Sequence, residues 1–385
     1  MQLTLQPKVL QWARERASLG ETVLAKKLHT TEDRVTAWEQ DGKITFAKMQ
    51  DLAHVTHTPE GYFFLQKPPE DKLPIPDFRT LKDAPVKRPS PDLLETVQTM
   101  QVRQAWMRDF LIEEGDEPLA FVGRATLHSD PVEVAADMRR TLGFMDGWAS
   151  QEKSWADALT HLRQKIETAG ILIVINGVVG NNTSRKLNPD EFRGFALCDS
   201  YAPLIFINGA DFKSAQMFTF AHEMAHLWIG KDGVSNFEAL QAPPVDVEIW
   251  CNQVAAEFLM PVTEVHGCWE QAIRAEEPFQ ALARRFKVSA IVAARRVLDL
   301  GLIEKKAFFD FYNAYLDDER RKEAAHASGG SFWNNQNVRV GQRFGQAVVR
   351  AAREGKLLYR EAYHLTGMHG ETFTKYAETL GYPMR

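Results

Sequence analysis

Cysteine is scarce: Cys198, Cys251 and Cys268 are the only three in a chain of 385 residues. So sparse and odd a set excludes a disulfide framework and suits a reducing compartment, so a cytoplasmic location is expected. None stands in a CxxC-like metal spacing, and all three read as core thiols. Long hydrophobic runs are missing as well. The longest, Ile171-Leu172-Ile173-Val174-Ile175, falls far short of the about 20 residues that a membrane span needs, and no membrane partner is expected. The first residues, Met1-Gln2-Leu3-Thr4-Leu5-Gln6-Pro7, lack a basic stretch followed by an apolar one, so no signal peptide is predicted. No internal repeat or low-complexity tract is present. Neither sign of charge dominates. A net charge of −5 excludes a polyelectrolyte that binds nucleic acid along its whole length, while a local DNA-reading module stays open.

Proline, by contrast, is concentrated. Pro68, Pro69, Pro74, Pro76, Pro85, Pro89 and Pro91 crowd into residues 67–92. Proline removes backbone donors and biases its neighbours to extended conformations, so this segment reads as a linker. Ile75 and Phe78 suggest that part of it docks on a neighbouring surface. Before it, residues 1–66 form a compact helical unit in which Leu10, Ala13, Leu24, Ala25, Leu28, Val35, Trp38, Met49 and Leu52 recur at helical spacing. Thr30-Thr31-Glu32-Asp33 opens one of its helices. After the linker, helices are predicted over 93–114, 131–143 and 152–169. Strand-like runs follow at 171–175, 192–198 and 204–207, then helices at 214–229 and 246–260. Glycines near 301, 329–330 and 367 punctuate the remaining helical chain. The expected fold is mostly α with a small mixed β-sheet. Its parts are an all-α unit at 1–66, the linker at 67–92, an α/β catalytic domain at 93–310 and a helical C-terminal region at 311–385.

The most informative residues are His222-Glu223-Met224-Ala225-His226. Residues four apart share a helix face, so both imidazoles can bind one ion, and zinc accepts neutral histidine nitrogens. Glu223 is placed beside the pair as a general base. A catalytic zinc takes a third protein ligand and keeps one position open. Glu248, within an apolar helix at 246–260, is the better candidate, with Asn252 one turn on to hold a ligand in place. Glu238, Asp246, Glu257 and His266 are the rivals.

At this point a resemblance can be stated. Glu191-Phe192-Arg193-Gly194-Phe195-Ala196-Leu197, Ala202-Pro203-Leu204-Ile205-Phe206-Ile207-Asn208, the His222–His226 pentad in its apolar setting and Cys251-Asn252-Gln253-Val254-Ala255-Ala256-Glu257-Phe258-Leu259-Met260-Pro261 together resemble the ImmA/IrrE zinc metallopeptidases. That family's third-ligand glutamate lies four residues before the asparagine, at Glu248 here. The resemblance implies a gluzincin-like domain and cleavage of a protein, often a transcriptional repressor. Residues 1–66 resemble the Xre, or lambda-repressor-like, helix-turn-helix. Glu21-Thr22-Val23-Leu24-Ala25-Lys26-Lys27-Leu28 would be its first helix and residues 31–40 its recognition helix. Arg34 and Gln40 would face a DNA groove. Charges in residues 1–60 balance, eight basic against eight acidic, which argues for a weak phosphate grip. A second, basic pattern over 282–298 reads as a helical hairpin packed on the catalytic domain.

The reading that results is a cytosolic zinc endopeptidase fused to a DNA-binding unit, acting on a DNA-bound repressor, with a homodimer as one state open to it. Two rivals are a transcription regulator or antitoxin whose peptidase-like domain senses or merely folds around metal, and a non-proteolytic zinc hydrolase. Strand 192–198 is the expected sheet edge for pairing with substrate, with Arg193 and Gly194 allowing a second backbone to approach.

Overall fold

Small turn residues set the helix lengths at the start of the chain. The structure, a computed structural model, describes residues 1–70, 72–76, 88–211, 213–235, 246–317 and 337–382. Two units divide it: residues 1–74 with 81–98, and residues 75–80 with 99–385.

In the first unit, α1 (Pro7–Arg16), α2 (Glu21–Lys27), α3 (Glu32–Asp41) and α4 (Phe46–Thr56) surround a core that includes Leu10, Leu24, Val35, Met49 and Phe63. Thr31 takes the N-cap position of α3, although its side chain accepts no capping hydrogen bond. Gly42 ends α3 with φ +73°, and a Cβ there would meet the Leu5 carbonyl oxygen at 2.0 Å. That tight turn brings β2 (Lys43–Thr45) antiparallel to β1 (Gln2–Thr4), a ribbon too short to show alternation in the sequence. The unit is therefore helical but not purely so. Arg14 fixes α1 to α3 by a two-pronged pair with Glu39, at 2.6 and 2.7 Å.

α5 (Pro91–Glu114) begins inside the expected linker, because proline is welcome in a first helical turn. In the second unit α6 (Pro131–Leu142) starts at Asp130, whose carboxylate accepts from Val132 N–H. After α7 (Trp148–Gln151) and α8 (Trp155–Thr168), β3 (Leu172–Asn176) enters the sheet. A side hairpin of β4 (Val178–Val179) and β5 (Asn182–Lys186) precedes β6 (Gly194–Leu197) and β7 (Leu204–Asn208). The sheet order is β3-β7-β6-β8, with β8 being Gly233–Ser235. β3 runs parallel to β7, and β6 runs antiparallel to both β7 and β8. α9 (Lys213–Ile229) packs on β6 and β7, and α10 (Asp246–Leu259) packs on α9 and α6.

One expectation is overturned here. β6 is not an edge: Gly194 pairs with Ile207 on one side and Ser235 on the other. Gly194 therefore has no free side for a substrate strand, and Arg193 lies just before β6. Among the described residues β8 is the outermost strand on this side of the sheet, and a three-residue strand behind Gly230-Lys231-Asp232 leaves no alternation to read.

α11 (Val262–Ala272), α12 (Pro278–Phe286) and α13 (Ala290–Asp299) follow, and Leu282, Phe286 and Val297 join the core around α9 and α10, as a packed hairpin requires. α14 (Lys305–Asp317) runs through residue 310, so the division expected there would cut a helix. α15 (Gln342–Arg353), α16 (Tyr359–Thr366) and α17 (Gly370–Thr379) complete the chain, with Gly367 turning at φ +69°. Phe78, Gly329 and Gly330 lie outside the described residues.

Candidate metal centre

α9 is apolar on nearly every side, with Met217, Phe220, Ala221, Met224, Ala225 and Leu227 all buried. A helix so enclosed carries its polar residues into the interior, and His222, Glu223 and His226 are fully buried. Their placement costs free energy unless each finds partners. The ring nitrogens show where those partners are. His222 Nδ1 lies 2.9 Å from Asn252 Oδ1, and His226 Nδ1 lies 3.2 Å from the Lys231 carbonyl. A carbonyl oxygen only accepts, so each Nδ1 carries its proton and each Nε2 presents a lone pair.

Those two Nε2 atoms are 3.0 Å apart. Glu248, in the first turn of α10, brings Oε2 to 3.3 Å from His222 Nε2 and Oε1 to 3.0 Å from His226 Nε2. Oε1 is buried and receives no hydrogen bond, although an imidazole faces it. Two imidazole nitrogens and a carboxylate thus converge, each within 3.3 Å of the next. A divalent cation satisfies such a set, and two imidazoles with a carboxylate suit zinc. Burial pushes the His222 imidazole down, which favours the neutral form a metal needs. Burial alone would raise the Glu248 carboxyl, but once acid protonates the adjacent imidazoles, His222 and His226 outweigh it and hold it at about 2. Both shifts keep the centre ready to accept a cation at neutral pH.

Glu223 sits next to β6. A Cβ added to Gly194 would meet Thr219 Cγ2 at 2.7 Å, the Phe206 carbonyl oxygen at 2.9 Å and Glu223 Oε1 at 3.0 Å. Gly194 belongs to the site after all, because it clears space for the Glu223 carboxylate and not for a second backbone. Arg193 instead lies 3.7 Å from Asp211 in an ion pair.

The rival ligands fall elsewhere. Glu257 is buried but committed to Arg296 and to the Val262 N–H. Asp246 and His266 are exposed, and Glu238 lies outside the described residues. One residue of the centre was read only as a core thiol. Cys251, one turn after Glu248, has its sulfur grouped with His222 and His226 within 4.8 Å. Burial raises its thiol well above the usual range, so it stays protonated unless a metal binds it. Its spacing of three from Glu248 was the available signal, and it is hidden when only cysteine–cysteine spacings are sought. Arg34 and Gln40 lie exposed on α3.

The matched segment contains this whole arrangement. Residues 166–298 match the Peptidase_M78 family model, described as the IrrE N-terminal-like domain. The matched segment runs from the end of α8 through α13 and includes His222, Glu223, His226, Glu248 and Cys251. Residues 340–379 match a second model, described as a domain of unknown function (DUF8813), which spans α15 to α17. No curated protein matches the chain. Among the described residues, no helix is long and apolar enough to cross a membrane.

Proposed function

We propose that the IrrE N-terminal-like segment is a zinc-dependent endopeptidase, with His222, His226 and Glu248 as ligands and Glu223 as general base. The observation that carries this reading is the convergence of His222, His226 and Glu248 beside a second buried carboxylate, Glu223. When bound, zinc supplies Lewis acidity to a carbonyl and lowers the pKa of a water. Glu223 takes the proton from the attacking water and delivers it to the leaving amine. Asn252 and the Lys231 carbonyl keep both imidazoles in the correct tautomer. The decisive experiment pairs metal analysis with cleavage. Glu223→Gln should keep about one zinc per chain and lose roughly 10²-fold or more of activity. His222→Ala should lose the metal. Full activity in Glu223→Gln would end this reading.

We further propose that the first unit binds DNA through Arg34 and Gln40, which are exposed on α3, and that the substrate is a DNA-bound repressor, since shared binding to DNA would raise effective concentration.

Cys251 favours one alternative, a metal-sensing regulator. If its sulfur joins two histidines and Glu248, four protein ligands close the site and leave no position for substrate. Cobalt substitution separates the two readings. A sulfur-to-cobalt charge-transfer band that disappears in Cys251→Ser supports the closed site, and its absence supports the peptidase.

A further inference from the structure

The outer edge of β8 carries a hydrogen bond that none of the roles above uses. The Val234 N–H donates to the Pro76 carbonyl at 3.1 Å. Pairing with β6 occupies the other side of this strand, with Phe195 opposite Val234. Ile75 is buried at 6% exposure, while Pro74 and Pro76 beside it are exposed. Residues 75 and 76 belong to the same unit as β8.

We infer that the outer edge of β8 is a docking strand for an extended peptide, and that Ile75 and Pro76 of this chain are its resident occupant, a strap that an incoming peptide must displace. Describing that peptide as a substrate rests on the peptidase reading; the docking itself does not.

Three features carry the inference. The strand lies close to the centre. Lys231, two residues before it, orients His226, and Ser235 within it pairs with Gly194, which touches the space of Glu223. The contact is also of the kind that strand addition uses, with a main-chain hydrogen bond giving affinity and a buried side chain giving preference. The prolines make the occupant self-limiting. A residue before proline is held extended, so Ile75 is set for pairing. Pro76 has no N–H, so it offers an acceptor but cannot continue a ladder. Its amide nitrogen also has no hydrogen for a peptidase main chain to bind. The strap therefore fits the edge without being a good peptide to cut.

The test uses the full chain as wild type, Ile75→Asp and the milder Ile75→Ala. Amide hydrogen exchange is read at Val234. Binding is read with a labelled synthetic peptide copying residues 70–80, added in trans. Removal of the Ile75 anchor should speed Val234 exchange by about tenfold and tighten peptide binding by a similar factor, since the added peptide no longer competes with a tethered one. Unchanged exchange and equal peptide affinity in both variants would overturn the strap. Neither readout needs catalysis. A zinc-loaded Ile75→Asp protein that is inactive although its Val234 exchanges fast defeats the peptidase reading alone, and an active enzyme with unresponsive Val234 defeats the strap alone.

Discussion

Replacing Asn252 by alanine removes the Oδ1 that holds His222 Nδ1 at 2.9 Å while leaving every proposed ligand in place. Metal affinity should fall about 10–100-fold, as read by competition with a chelator. Gly194→Ala tests the other wall. Thr219 and Glu223 can shift a little, but the Phe206 carbonyl is sheet backbone and cannot. The expected loss is about 1–3 kcal/mol in urea unfolding, with cleavage falling as Glu223 is displaced. Acidity tests the buried groups together. His222 is pushed below its ordinary value of about 6.5 and Glu248 below about 4.5, so the unfolded metal-free chain binds more protons than the folded one as pH falls. The stability that each group contributes is present above its unfolded pKa. It is lost in turn, first below about 6.5 for His222 and then from about 4.5 towards 2 for Glu248. The urea midpoint of the metal-free protein should therefore drop from pH 7 to pH 5 and continue down below it. A flat profile would show that neither group is buried as described. At this scale the sequence was informative wherever chemistry repeats at a fixed spacing. The pentad and Glu248 were legible because a helix turn converts spacing into shared direction. Gly194 was singled out for the wrong reason, since the carboxylate that needs its space lies on another element.

Among the elements, α9 and α10 could be read directly because their periodicity is strong and Pro261 and Gly230 mark their ends. β8 could not be read, and its absence made β6 look like an edge. A three-residue strand is defined by the neighbour with which it pairs and not by any pattern of its own. The β1–β2 ribbon was missed for the same reason. Arg103 shows how a distant element is attached in a way the sequence does not reveal. Buried on α5, it donates to the carbonyls of Leu365 and Arg339. Burial lowers its guanidinium to about 10, which still leaves it charged at neutral pH. Arg103→Met would strand two carbonyls, at a cost of about 1–3 kcal/mol each. Hydrogen exchange should quicken first in α16, and uniform protection there would argue against this anchoring.

For the whole molecule, DNA binding can be tested on the intact chain. Specific binding to the upstream region of its own gene should weaken steeply with added salt, and Arg34→Ala should reduce it while the melting profile stays unchanged. No specific binding at low salt would favour a protein-interaction role for the first unit.

The Pro76 contact has a further consequence, for the time before the protein is complete. A bare strand edge is where one polypeptide adds to another and aggregates begin. Synthesis runs from the N-terminus, so Ile75 and Pro76 leave the ribosome well before β8 does. The cover thus exists before the surface that needs covering, and β8 meets its own chain ahead of any neighbouring copy. Solubility during expression should then depend on a buried residue far from β8 in the sequence, with Ile75→Asp giving more inclusion bodies than wild type at equal synthesis rates. An equal soluble fraction would confine the role of the strap to the folded state.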